Sequence, residues 1–196
     1  MVLAGAGFGW WRSAHAPAEL PASACWSVLT RADLAPLADD LHGTFVERNS
    51  SDGSHEHLQP IRGDQDCRVE RNPANGLLWI QVWSMDELTM KIKYGAGSEV
   101  SHQGESRLDF GADVQGWTGS RQVGLAFRCD NPENARMGRP YVAVGVAAGD
   151  VTDPRSEKVH RAVLDIALKY AKDVVAGYPC ANPVKLPDTV PGTVRS

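Results

Sequence analysis

DPRSEKVHRAVLDIALKYAKDVVAGYPC, residues 153–180, is the stretch whose reading decides the fold. Its start and stop signals agree on a helix. Asp153 caps the amino end with Pro154 in the first helical position, where a missing N–H is harmless, and Gly177 followed by Pro179 closes the other end. At about 100° per residue, Val159, Val163, Ile166, Ala167, Tyr170 and Val174 share one side, and Leu164, Leu168, Ala171 and Val175 carry that surface around the cylinder. The apolar arc spans about 200°, twice what covering one core face requires. Lys158, Arg161, Asp165, Lys169, Lys172 and Asp173 fill the remaining strip, with Asp165–Lys169 and Lys169–Asp173 at helical ion-pair spacing. The expectation is a central helix, packed on a sheet along one side and covered by other elements along the next.

Working outward, residues 121–129 alternate Val123, Leu125 and Phe127 with Gly124, Ala126 and Arg128, and residues 139–147 form a second β-rich run after the break at Asn131-Pro132. In the first half, Cys67-Arg68-Val69-Glu70-Arg71 alternates, Asn72-Pro73-Ala74-Asn75-Gly76 turns, and Leu77 to Trp83 is rich in β-formers, which predicts a hairpin. Thr30 with Asp33 approximates a capping box for a short helix over residues 30–38, and Ser84 with Glu87 does so for a second that Gly95 ends. Residues 39–66 hold few large apolar side chains and read as a long mobile loop; residues 95–120 read as a loop anchored by Leu108, Phe110 and Trp117. These elements predict an α+β fold: a mostly antiparallel sheet of about four strands, a long C-terminal helix packed on it, shorter helices and two disulfides. The single domain covers 24–183, with an apolar segment and linker at 1–23 and a tail at 184–196.

Length and composition fit one soluble domain: 196 residues, 42% hydrophobic and 22% charged. A net charge of −4 without any basic run excludes a nucleic-acid partner. Cys25, Cys67, Cys129 and Cys180 are dispersed, with no CxxC or short Cys/His pair, so a structural zinc site is not expected and disulfides are. Of three pairings, Cys25–Cys67 with Cys129–Cys180 is preferred, because each joins a helical segment to a strand of its own half. Four reduced cysteines in a cytosolic core is the alternative. Residues 1–11, MVLAGAGFGWW, are too few to cross a bilayer, which takes about 20. They read either as the outer end of a membrane helix or signal peptide, with Ala14-His15-Ala16 resembling a cleavage site, or as a tail. The cysteine pattern favours export, to an extracytoplasmic, secreted or membrane-anchored setting.

Candidate sites are few. His55-Glu56-His57 with Asp52, Asp64 and Asp66 is the densest ligand-capable cluster, but nothing around it imposes order, and a solvated loop is the preferred reading over a metal site. His160, one turn into the long helix, is either a ligand-contacting group or a neutral histidine hydrogen-bonded to a neighbouring loop. No GxSxG elbow or phosphate-cradling loop occurs, and paired cysteines are not nucleophiles, so no catalytic residue and no cofactor is expected. Trp79 and Trp83 stand at i and i+4 of one strand, hence on one face, with Ile80 and Val82 opposite. They are core under the long helix, the preferred reading, or an aromatic floor on an open sheet face that takes an apolar or sugar-like ligand.

The run from Cys25 through WSVLTRADLAPL to Cys67 at the start of a strand resembles the extracytoplasmic domains of actinobacterial lipoproteins and of sensor-type serine/threonine kinases. The resemblance covers residues 24–82, without a lipobox or a complete membrane helix. It implies a disulfide-linked α+β module that binds a ligand or the envelope, with no catalytic residues. The leading expectation is therefore a non-enzymatic domain with an envelope ligand or protein partner. A secreted hydrolase with an unrecognised site and a structural, partner-binding subunit are the alternatives. A deep pocket lined by titratable groups would favour the enzyme, and a broad exposed Trp/Tyr face would favour binding.

Overall fold

The computed structural model describes residues 17–49, 65–72, 75–94, 106–110, 114–153 and 155–191, without the side chains of 92–94. In chain order the elements are β1 (Ser23–Ala24), β2 (Leu29–Thr30), α1 (Arg31–Leu34) running into a 3-10 turn (Ala35–Leu37), β3 (Val46–Asn49), β4 (Gln65–Glu70), β5 (Gly76–Met85), α2 (Glu87–Tyr94), β6 (Ser106–Asp109), β7 (Val114–Thr118), β8 (Gln122–Arg128), α3 (Pro132–Arg136), β9 (Tyr141–Ala148) and α4 (Glu157–Gly177).

Strands β3 to β9 form one antiparallel sheet in the order β3-β4-β5-β9-β8-β7-β6, and β1 pairs with β2 separately. The expected sheet of about four strands is too small: among the described residues the main antiparallel sheet has seven, with a two-stranded sheet and the long C-terminal helix beside it. The additional strands lie where loops were expected. β3 occupies part of the supposed loop 39–66, where Phe45 is buried, and residues 50–64 lie outside the described residues. β6 and β7 occupy part of 95–120, with Leu108 and Phe110 buried as the expected anchors. These strands are short, and β7 holds Gly116, so their conformation comes from ladder pairing to β4 and β8 rather than from local propensity.

Helix α4 lies across β8 and β9 and touches the 3-10 turn and α1. Beneath it Val123, Leu125 and Phe127, Val142, Val144 and Val146, and Leu78, Ile80 and Val82 are all at most 1% exposed, and Ile166 and Tyr170 fill the layer above. We call this side of the sheet the near face. The helix begins later than expected. Ser156, not Asp153, is the N-cap and accepts from Val159 N–H, while the Asp153 carboxylate accepts from Arg155 N–H in the preceding turn. Its ion pairs also differ: Asp165 pairs with Arg161, and Lys169 reaches Asp33 on α1 at 2.6 Å, because a tertiary carboxylate lies closer than the helical ones.

The Thr30/Asp33 capping box forms as expected. The Ser84/Glu87 box does not, because Ser84 and Met85 belong to β5; Asp86 instead accepts from both Thr89 N–H and its hydroxyl, each at 2.7 Å. Disulfides join Cys25 to Cys67 and Cys129 to Cys180. The first clamps the β1–β2 loop, in which Cys25, Trp26 and Ser27 all have positive φ. Such a left-handed turn is unfavourable by about 1–2 kcal/mol per residue. It is held by the disulfide, by Trp26 N–H donating to Glu47 at 3.3 Å, and by Trp26 packing 6.1 Å from the Tyr170 ring. The second fastens the segment after α4 to the end of β8, beside buried Tyr178, whose hydroxyl donates to Asn134 and whose pKa burial pushes up to about 12. Leu20 and Val190, outside 24–183, are buried in the same core.

Candidate functional site

The opposite, far face of the sheet is divided in two. At one end α2 lays Met90 on Met85, Ala126 and Ala143, with Trp83, Trp117 and Tyr141 packed around them as a small second core. Room for the two indoles comes from a glycine pair in register, Gly124 and Gly145: Trp117 rests against the first and Trp83 against the second. A Cβ at Gly124 would fall within the Trp117 ring, and one at Gly145 would press on the edge of Trp83 at 2.9 Å.

Among the described residues no helix covers the other end, which holds a cleft of about 370 Å³. Its floor follows one cross-strand row, Arg68 on β4, Trp79 on β5, Ala147 on β9 and Gln122 on β8. Trp79 is 41% exposed, and the Arg68 guanidinium sits 5.1 Å over its ring, a cation–π contact. Glu70 lines one side and the Gly149-Asp150 turn another, with Arg121 beside it. That turn meets β5 backbone to backbone: Gly149 N–H donates to Leu77 O at 2.8 Å, and a Cβ on Gly149 would fall 1.9 Å from Gly76 O. Only glycine permits this approach, and it sets the cleft's end wall.

The charged groups are fixed by pairing. Arg68 Nε donates to Asp66 at 3.1 Å, Arg48 Nε to Glu70 at 2.6 Å, and Arg121 to Asp150 at 3.2 Å and to Thr152 O at 3.4 Å. Glu70 is 5% exposed, so its carboxylate is held by Arg48 at the sheet edge rather than by solvent. No protein-family model, curated protein or solved structure matches the chain.

The residues singled out from the sequence are thus separated. Trp79 and Trp83 do share a face with Ile80 and Val82 opposite, but it is the far face, so neither lies beneath α4 as preferred: Trp83 belongs to the small second core and Trp79 to the cleft. His160 lies on the near side, with Nε2 2.8 Å from the hydroxyl of buried Thr118, which itself lies 3.3 Å from Gly119 O. It ties the first turn of α4 to the end of β7 and does not join Trp79. His55-Glu56-His57 lies outside the described residues. Among the described residues no three His, Cys, Asp or Glu side chains are grouped to hold a metal, and no helix is long and apolar enough to cross a membrane. Sequence reasoning missed Arg68, Glu70, Arg121, Gln122, Gly149 and Asp150 as neighbours of Trp79. Only Arg68 had a usable signal, the hairpin register that puts it opposite Trp79.

Proposed function

We propose that the chain is a non-enzymatic, extracytoplasmic binding domain of a secreted or membrane-anchored protein of the actinobacterial envelope, holding an envelope ligand in the cleft at Trp79. Residues 1–11 are the outer end of an export or anchoring segment in this reading. The observation that carries it is the exposure of the Trp79 indole on a sheet face that α4 does not cover, in a concave site with convergent polar groups. Pairing of every charged side chain in the cleft favours fixed hydrogen-bonding geometry over an activated acid or base. Two disulfides are the usual mark of an oxidising, extracytoplasmic environment.

The test is a two-dimensional NMR titration of the chain with a soluble cell-envelope extract, repeated on Trp79→Ala. Shifts at Trp79, Gln122 and Ala147 that disappear in the variant are expected. Shifts confined to the near side, around His160, or none at all, would overturn the proposal.

A further inference from the structure

The ligand class can be read from the chemistry of the cleft, taking as given the proposal that the cleft is a binding site. Three classes fit an exposed tryptophan: an anion drawn by the arginines, an apolar chain drawn by the ring, or a polyhydroxylated ring that has both an apolar face and polar edges. The lining discriminates among them.

An anion needs uncompensated positive charge. Arg68 and Arg121 each already hold a carboxylate, at 3.1 and 3.2 Å, and Glu70 adds a buried negative charge to the wall. A second anion there would meet Glu70 and Asp150 as well as the guanidinium groups, so attraction and repulsion offset each other. An acyl chain needs a continuous apolar wall. Apart from Trp79, the apolar side chains of the lining are small or buried, Ala147 and Ala148 with Leu78, and charged groups interrupt them on both sides.

A neutral pyranose meets both demands. The C–H face of the sugar carries partial positive charge and packs on the negative face of an indole, while its vicinal hydroxyls both donate and accept. Planar groups with two parallel hydrogen-bonding atoms suit such hydroxyl pairs, and the cleft sets Arg68, Glu70, Arg121, Gln122 and Asp150 around one exposed ring. Arg121 pairs with Asp150 within this set, and Arg68 and Glu70 pair with Asp66 and Arg48 beside it, which restricts these side chains before a ligand arrives and lowers the entropy lost on binding. A volume of about 370 Å³ is at the small end for ligand sites and suits one or two sugar rings rather than a folded chain end.

We infer that the Trp79 cleft binds a neutral hexopyranose unit of an envelope glycan, stacked on the part of the indole that Arg68 leaves exposed and hydrogen-bonded by the paired charges around it. The experiment titrates the full chain with neutral tri- and tetrasaccharides of glucose, galactose and mannose, and in parallel with glucuronate, inorganic phosphate and decanoate. Amide and indole N–H shifts are followed by NMR and affinity by calorimetry. At least one neutral oligosaccharide is expected to move the Trp79 indole signal. Trp79→Ala should weaken it about tenfold or more, Gln122→Ala less, and Trp79→Phe should retain part of the affinity. The Trp79→Phe and Gln122→Ala variants guard against a loss that merely reflects misfolding. Binding of phosphate, glucuronate or decanoate at Trp79 with no neutral sugar bound would overturn the sugar class but leave the binding face standing. Sugar binding that Trp79→Ala does not weaken would overturn the site. If neither the pure compounds nor the envelope extract moves Trp79, the sugar class and the binding-domain reading fall together.

Discussion

Trp117 lies against Gly124 across the β7–β8 ladder, so close that a methyl group on the glycine would sit 1.7 Å from Cζ2 of the indole. The two central strands are therefore thin on the far face where the rings lie, and the glycines are packing partners rather than turn formers. Replacing Gly124 by alanine must push the middle of the ring aside. The expected loss is about 1–3 kcal/mol in urea unfolding, with a change in tryptophan fluorescence. Gly145→Ala meets Trp83 at 2.9 Å and only at the ring's outer atoms, so its effect should be smaller. A Gly124→Ala protein as stable as the parent would refute this account of the far face.

The disulfides are open to a direct check. They close loops with sequence separations of 42 and 51. On the chain-entropy model each stabilises by up to about 4 kcal/mol, and replacing either pair by serine should remove about 2–4 kcal/mol. Non-reducing peptide mapping should recover Cys25 with Cys67 and Cys129 with Cys180. A Cys67–Cys129 peptide, or free thiols throughout, would contradict the fold's two fastenings.

Asp33 makes part of the stability dependent on acid. Partial burial alone would raise its pKa, but hydrogen bonds from Lys169 and from the Thr30 N–H and hydroxyl prevail and hold the carboxyl below the ordinary 3.8. With the folded value below the unfolded one, the stabilisation is fully present above 3.8 and declines as pH falls toward the folded pKa. Comparing Asp33→Asn with the parent, the stability gap should be constant near neutrality and narrow below that value. A gap that widened on acidification would mean that the Lys169–Asp33 link between α4 and α1 is absent.

What was legible in the sequence follows from where apolar contrast is strong. β5, β8, β9 and α4 alternate or repeat clearly because each buries one full face, and the disulfide pairing was preferred because each bridge joins a helical segment to a strand of its own half. β3 carries Glu47, Arg48 and Asn49 at the sheet edge, and β6 carries Ser106 and Arg107, so neither announces itself; they are strands because β4 and β7 offer ladders. The pairing of Trp79 with Trp83 on one face was a matter of strand period, but which face faced α4 depended on β9 lying beside β5 and β8 beyond it. The cleft was not legible for the same reason. Arg68, Trp79, Gln122 and Asp150 meet only after strands from both halves have joined at the β5–β9 ladder.

The assigned face of α4 is tested most sharply by neighbours. Ile166 is 2% exposed in the layer above β8 and β9, whereas Asp165 points outward and meets Arg161 at 3.4 Å with both side chains more than half exposed. Truncating Ile166 to alanine should remove about 2–5 kcal/mol, the range for a buried aliphatic deletion that leaves a cavity. Asp165→Ala should stay within about 1 kcal/mol, since an exposed i,i+4 ion pair contributes little and alanine favours the helix. The comparison holds helix content nearly constant and varies only the direction in which the side chain points, so it isolates packing from propensity. Equal and mild losses in chemical denaturation would mean that Ile166 is open to solvent. The apolar arc of α4 would then be an interface for a partner, and the domain an obligate subunit rather than a self-contained binding module.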